Sequence, residues 1–174
     1  DVSEQYSDKQ VLTAVLKDQL TNTVISNKTI QFTIGTQSAS GNTNASGLAS
    51  AELIITQDPA TLYKVKSSFA GDAIYMPSED EDVFDITQED ARAFYTGALF
   101  ASTAGTSTGK ATVTLSATIK DITSEKPLID GYGGDIRNAT VTFVKRNADG
   151  TSTPINNTPL NVGLINTSDI KVGA

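Results

Sequence analysis

The chain contains no cysteine, no histidine and no tryptophan. Without cysteine it has no disulfide, no thiolate zinc site and no cysteine nucleophile. Without histidine it has no imidazole base, which excludes most serine and cysteine hydrolase constellations. Carboxylate pairs could still hydrolyse glycosides, but a small domain without tryptophan offers neither a deep cleft nor the usual stacking platform for sugars. We therefore predict a protein that is not an enzyme and has no organic cofactor.

Basic residues are also scarce, with 13 Lys and Arg against 20 Asp and Glu, for a net charge of −7. Nucleic-acid phosphates require neutralisation by Lys and Arg, so we predict no nucleic-acid partner. No apolar run approaches the roughly 20 residues of a membrane span, so we predict no membrane insertion. The first residue is Asp1 and not methionine, which predicts a processed protein or an excised fragment.

The dominant pattern along the chain is a period-2 alternation of apolar and polar residues, which is typical of β-strands. Ile30, Phe32 and Ile34 are expected to share one face of a strand, with Gln31 and Thr33 on the other. The predicted strands of the first half are 11–16, 29–34, 48–55, 63–69 and 82–88. The best helical candidate, 87–92, is too short to be stable without tertiary support. Short strands separated by turn residues predict an all-β antiparallel sandwich.

Two stretches of the chain have similar counterparts about a hundred residues later. VLTAVLKD at 11–18 is similar to VTLSATIKD at 113–121, and KTIQFTI at 28–34 is similar to ATVTFVK at 139–145. We therefore predict two related β-units in tandem, residues 1–88 and 89–174, joined by a short linker around 87–92.

The second unit is shorter than the first after its matching phenylalanine, Phe143. A hairpin around Asp149-Gly150 and a strand at 160–165 are predicted before the chain ends at Ala174. This unit is therefore expected to lack its final strands. We favour continuation of the natural chain past Ala174. The alternative is a strand supplied by another chain through β-augmentation.

Several segments resemble bacterial immunoglobulin-like (Big-type) repeats of large surface or secreted proteins. These are YSDKQVLTAVLKD at 6–18, KTIQFTIG at 28–35, ASGLASAEL at 45–53 and FAGDAIYMPSE at 69–79. YTGALF at 95–100 and GDIRNATVTFV at 134–144 resemble a companion module often found after such repeats. The resemblance implies two immunoglobulin-like antiparallel β-sandwiches in tandem, residues 1–88 and 89–174. It also implies a non-catalytic spacer, stalk or adhesive module outside the cell. Its partners would be neighbouring domains of the same polypeptide, with a cell-surface protein or a glycan as a further candidate.

The most acidic stretch, Glu79 to Asp82, lies between apolar segments. Under the resemblance it falls on the loop before the last strand of the first unit. The favoured interpretation is a solvated turn whose charges discourage edge pairing. The alternative is a calcium site formed by Glu79, Asp80 and Asp82, because Ca²⁺ prefers carboxylate and carbonyl oxygens. No D-x-D-x-D-G loop is present.

A second acidic group is Asp121, Asp130 and Asp135, within a glycine-rich stretch of the second unit. The favoured interpretation is an ordered connection, since glycine permits tight turns. The alternatives are a calcium or ligand site, or a protein contact. Two further hypotheses for function remain, one from the acidic groups and one from the incomplete second unit. One is a calcium-stiffened ligand- or carbohydrate-binding module attached to a secreted enzyme. The other is a fibre subunit completed by strand donation from a neighbour.

Overall fold

The protein is all-β in a computed structural model that describes residues 2–107, 109–122, 124 and 131–174. The chain forms two compact units, residues 1–89 and 90–174. In the described residues the only helix is a short 3₁₀ turn, Ile136–Asn138. No described helix has the length and hydropathy needed to cross a membrane.

Unit 1 is a two-sheet sandwich of seven strands. The strands are β1 Val2–Gln5, β2 Lys9–Val15, β3 Thr29–Ile34, β4 Gln37–Asn42, β5 Leu48–Ile54, β6 Ala60–Phe69 and β7 Ser78–Thr87. One sheet has the order β1-β7-β6-β3-β4, and β2 pairs with β5 in the other. The two sheets enclose one buried apolar cluster, which is the arrangement of a β-sandwich.

The core of unit 1 follows from the alternation of its strands. Ile30, Phe32 and Ile34 are at most 3% exposed, whereas Gln31 on the same strand is exposed. The sequence prediction for this strand is confirmed in both extent and facing. Leu12 and Phe84 join the same buried cluster from β2 and β7. Burial of such side chains is the main favourable contribution to folding, at ~1.5–3 kcal/mol for each large apolar residue.

The first and last strands of unit 1 are neighbours in one sheet. β1 pairs with β7 in parallel, from Val2 opposite Phe84 to Gln5 opposite Thr87. Tyr6 continues the contact, donating its N–H to the Thr87 carbonyl oxygen at 2.9 Å. Both strands therefore run in the same direction at the edge of the sandwich.

In the part of unit 2 that the structure describes, the strands form three small sheets. Its strands are β8 Ala91–Tyr95, β9 Ala117–Asp121, β10 Thr140–Val141, β11 Val144–Arg146, β12 Ser152–Pro154, β13 Leu160–Asn161 and β14 Val172–Gly173. They pair as β14-β9-β8, β10-β13 and β11-β12. The predicted hairpin around Asp149-Gly150 is confirmed by the β11–β12 pair. The buried apolar residues of this unit are Ile119, Ile136 and Val162.

One sequence prediction about the acidic stretch needs correction. Glu79 to Asp82 do not form a turn, because all four residues lie in β7 and pair with β6. Pairing with a distant strand overrides the local preference of charged residues for loops. The short helical candidate at 87–92 is not a helix, since β7 ends at Thr87 and β8 begins at Ala91.

The internal similarity does not extend to equivalent strands. Leu12 is buried in β2, whereas its counterpart Leu115 lies outside any strand. Phe32 is buried in β3, whereas Phe143 lies between β10 and β11. Short β-branched segments resemble one another because alternation is common to all half-buried strands, which weakens the similarity as a sign of duplication.

Candidate functional site

The acidic stretch of β7 has two faces because successive side chains of a strand point to opposite sides. Glu79 and Glu81 lie on the outer face of the sheet, and Asp80 and Asp82 share the inner face with the buried Phe84. The strand therefore does not bring Glu79, Asp80 and Asp82 together as the sequence-based calcium hypothesis requires. The hypothesis placed these three acids on a loop, where neighbouring side chains are not held on opposite sides.

The outer glutamates are neutralised by lysines on β6. Lys66 Nζ lies 2.5 Å from Glu79 Oε2, and Lys64 Nζ lies 2.8 Å from Glu81 Oε2. The hydrogen bond from Lys64 lowers the pKa of Glu81 below its ordinary value and, reciprocally, raises the pKa of Lys64. These ion pairs explain how a strand with four consecutive acids remains in the ladder, because opposite charges on neighbouring strands attract.

The inner aspartates have no such compensation. Among the described residues, neither Asp80 nor Asp82 forms an ion pair, and the one hydrogen bond of Asp82 is to the N–H of Val83. Both aspartates border a groove between the two sheets, which we call the β2–β7 groove. The groove consists of two adjacent cavities that share Ser67 and Asp80. One is lined by residues 10–13, Phe32, Phe84 and residues 80–82, and the other by residues 14–16, Ile30, Phe69 and residues 78–80. The groove thus combines a core-lined base with two uncompensated negative charges at its rim.

The other wall of the groove is a free strand edge. In the described residues β2 pairs only with β5. Leu16 donates its N–H to Gly47, and Asp8 accepts the N–H of Ile55, so the even-numbered residues face β5. Because backbone polar groups alternate along a strand, the N–H and C=O groups of Val11, Thr13 and Val15 point away from β5. The sequence could not show this edge, because strand neighbours are not a local property.

In the second acidic group, the structure describes Asp121 and Asp135, and each carboxylate already accepts hydrogen bonds. Asp121 is 2% exposed, and its two carboxylate oxygens accept the N–H groups of Ser124 at 3.2 Å and Gly134 at 3.1 Å. Asp135 accepts from Arg137, with Nε to Oδ1 at 2.9 Å, and this hydrogen bond lowers the pKa of Asp135. Asp130 lies outside the described residues. Asp121 therefore links the backbone at Ser124 to the backbone at Gly134.

A third charged group, centred on Asp72, was not among the sites predicted from the sequence. Asp72 pairs with Lys28 at 2.5 Å, and its other oxygen accepts the N–H groups of Ile74 and Tyr75. The hydrogen bond from Lys28 is the largest cause that lowers the pKa of Asp72 to about 2. Lys28 Nζ also lies 5.6 Å from the centroid of the Tyr75 ring. The sequence FAGDAIY indicates this turn, because an Asp side chain can accept hydrogen bonds from the N–H groups two and three residues after it, as in an Asx-turn.

The described part of the chain contains no group of three acidic side chains close enough to hold a metal ion. The calcium site at Asp121, Asp130 and Asp135 stays a prediction, because it depends in part on Asp130. Among the sites above, the β2–β7 groove is the one that combines uncompensated charge with unpaired backbone. No family model matches the chain, and no curated protein is significantly similar to it.

Proposed function

We propose that this protein is a non-catalytic, force-bearing spacer of an extracellular bacterial surface protein. Its partners in this role are neighbouring domains of the same polypeptide. The acidic, cysteine-free composition and the resemblance to Big-type repeats support this location. The proposal rests on one structural observation, the parallel pairing of β1 with β7.

Parallel terminal strands determine how unit 1 responds to tension. A force on the two ends of unit 1 pulls β1 towards its N-terminal end and β7 towards its C-terminal end. Because the strands are parallel neighbours, these pulls are opposite in direction along nearly the same line. The interstrand hydrogen bonds, which are evenly spaced in a parallel pair, are then sheared together. Such a pair resists extension better than an antiparallel pair pulled open from one end.

Single-molecule force spectroscopy tests this proposal directly. Because the chain has no cysteine, cysteine handles introduced at residue 1 and at Asp90 react only at those two positions. The matched control places the handles at Asp58 and Gln88, which adjoin the antiparallel strands β6 and β7 at the same end of the pair. We expect a clearly higher unfolding force for the first pair of handles at the same pulling speed. Equal or lower force would contradict the proposal.

Proline substitutions in β1 supply a second test with an internal control. Since Tyr6 donates its N–H to Thr87, the N–H of Glu4 faces β7 and that of Ser3 faces away. Glu4→Pro removes a hydrogen bond of the β1–β7 pair, whereas Ser3→Pro imposes the same backbone restriction without removing one. We expect Glu4→Pro to lower the unfolding force more than Ser3→Pro. Forced unfolding reports the unfolding rate, so the comparison is made on kinetics and not on Tm.

A further inference from the structure

We propose that the β2–β7 groove is a docking site for an extended, basic segment of a partner protein, which adds to the free edge of β2 as an extra strand. This binding activity goes beyond the spacer role. It follows from two features that lie on opposite walls of one groove, the unpaired backbone of β2 and the uncompensated carboxylates of β7.

The backbone of β2 determines that the occupant is extended. The N–H and C=O groups of Val11, Thr13 and Val15 face away from β5 and are available to a strand, as described above. Addition of a strand to a free sheet edge gains affinity through main-chain hydrogen bonds, and the flanking side chains supply specificity. The outer side chains of Val11 and Val15 are 46% and 53% exposed. They would pack against β-branched side chains directly opposite them on the added strand.

The carboxylates of β7 determine the charge of the occupant. Alternate side chains of the added strand would point into the groove, towards Asp80 and Asp82. Lys or Arg fits there, because its aliphatic stem can lie over Leu12 while its charged end reaches a carboxylate at the rim. Asp80 and Asp82 have no other cation among the described residues, whereas Glu79 and Glu81 already have one each. The groove therefore selects a segment in which β-branched and basic residues alternate.

A second copy of this chain is a poorer occupant. Its own groove carries the same aspartates, and the chain has a net charge of −7, so two copies repel each other. The observations thus favour β2 as the edge that binds and a basic partner as the strand that it accepts.

The test uses the full chain and a synthetic eight-residue peptide that alternates Lys with Val and Thr. A peptide of the same composition, with its lysines consecutive, is the control for non-specific attraction. Amide hydrogen exchange, followed by NMR, is the readout because it reports the backbone of β2 directly. We expect the alternating peptide to slow exchange of the Val11, Thr13 and Val15 amides by about tenfold or more at saturation. The control peptide should leave all three unchanged.

Two variants test the contributions of the β7 wall and the β2 wall separately. Asp80→Asn with Asp82→Asn should weaken binding several-fold at low salt and remove most of its salt dependence. Thr13→Pro removes an outward N–H from an edge strand, where proline is tolerated, and should abolish protection at the neighbouring amides. Protection that is absent, equal with both peptides or unaffected by the aspartate substitutions would overturn the proposal. Protection that rises with protein concentration alone would also overturn it, by showing that a second copy occupies the edge.

Discussion

Lys64 on β6 and Glu81 on β7 form an ion pair across the diagonal of the strand ladder, with Nζ and Oε2 2.8 Å apart. The residue directly opposite Lys64 is Val83, so the pair links positions offset by two residues. Lys66 and Glu79 form the second pair with the same offset, two residues further along each strand. The two pairs make the acidic half of β7 compatible with a strand.

Charge reversal at this ladder should destabilise unit 1. Glu81→Lys removes the partner of Lys64 and places a third positive charge beside Lys64 and Lys66. We expect a lower Tm in low salt and a smaller difference from the wild-type chain in high salt, because salt screens exposed charges. Asp82→Lys is the matched control, since it changes the same charge at a neighbouring position that forms no ion pair among the described residues. A larger loss of Tm for Asp82→Lys would contradict the assignment.

The Asp72–Lys28 pair should make stability depend on pH in acid. The folded-state pKa of Asp72 is about 2, below the ordinary value of 3.8. A carboxyl with a depressed folded pKa contributes stability above its unfolded pKa, and this contribution is lost as the pH falls towards the folded pKa. Asp72→Asn retains the turn-forming oxygen but not the charge. We expect the wild-type advantage in Tm to be full above about pH 4 and to close as the pH approaches about 2. A difference that stays constant over this range would show that the charge of Asp72 is not responsible.

Gly173 should be essential to the packing of unit 2. A Cβ at this position would lie 2.3 Å from Val162 Cγ1 and 2.7 Å from the Gly163 carbonyl oxygen. Gly173→Ala is therefore expected to cost ~1–3 kcal/mol of unfolding free energy. Gly163→Ala is the control, because its Cβ would meet nothing closer than 3.7 Å. Hydrogen exchange at the Ile119 amide measures the stability of unit 2 separately from unit 1. Equal effects of the two substitutions would exclude the steric explanation.

Asp121 should stabilise unit 2 through the hydrogen bonds that it accepts from the N–H groups of Ser124 and Gly134. In Asp121→Asn one acceptor oxygen is replaced by a donor that faces an N–H, and we expect a loss of ~1–3 kcal/mol. Asp90→Asn, which neutralises an exposed aspartate of the same unit, should be nearly neutral. Chemical denaturation with a probe in unit 2 compares the two variants. If Asp121→Asn proves as neutral as the control, then the stability of unit 2 does not depend on this carboxylate.

Calcium should leave the melting curve unchanged. Backbone N–H groups already occupy both oxygens of Asp121, and Arg137 occupies Asp135. Displacing these donors would oppose the gain from coordination. We expect the same transitions in EDTA and in millimolar calcium when the full chain is followed by calorimetry. A rise of one transition in calcium would instead support the metal-stiffened hypothesis and identify Asp130 as the next residue to substitute.

Much of unit 1 could be predicted from the sequence because strand facing is a local property. The alternation of Ile30, Phe32 and Ile34 predicted a strand with one buried side, and all three are buried. The polar strand β4 could not be predicted in this way, since Gln37–Asn42 contains no large apolar side chain and owes its extension to β3. Likewise, the positions of Asp121 and Asp135 in the sequence suggested metal ligands, but they could not show that each carboxylate already accepts hydrogen bonds from other residues.

The sequence by itself determined the all-β class, most of the strands of unit 1 and the inward face of its central strand. These depend on side-chain order within a few residues, and a one-residue shift would move every apolar side chain to the wrong face. Only the tertiary structure decided that Glu79 to Asp82 form a strand, that β1 runs parallel to β7 and that the outer edge of β2 is free. Each of these depends on which distant segment lies alongside, and the pairing of strands is set by the packing of the whole unit and not by local pattern.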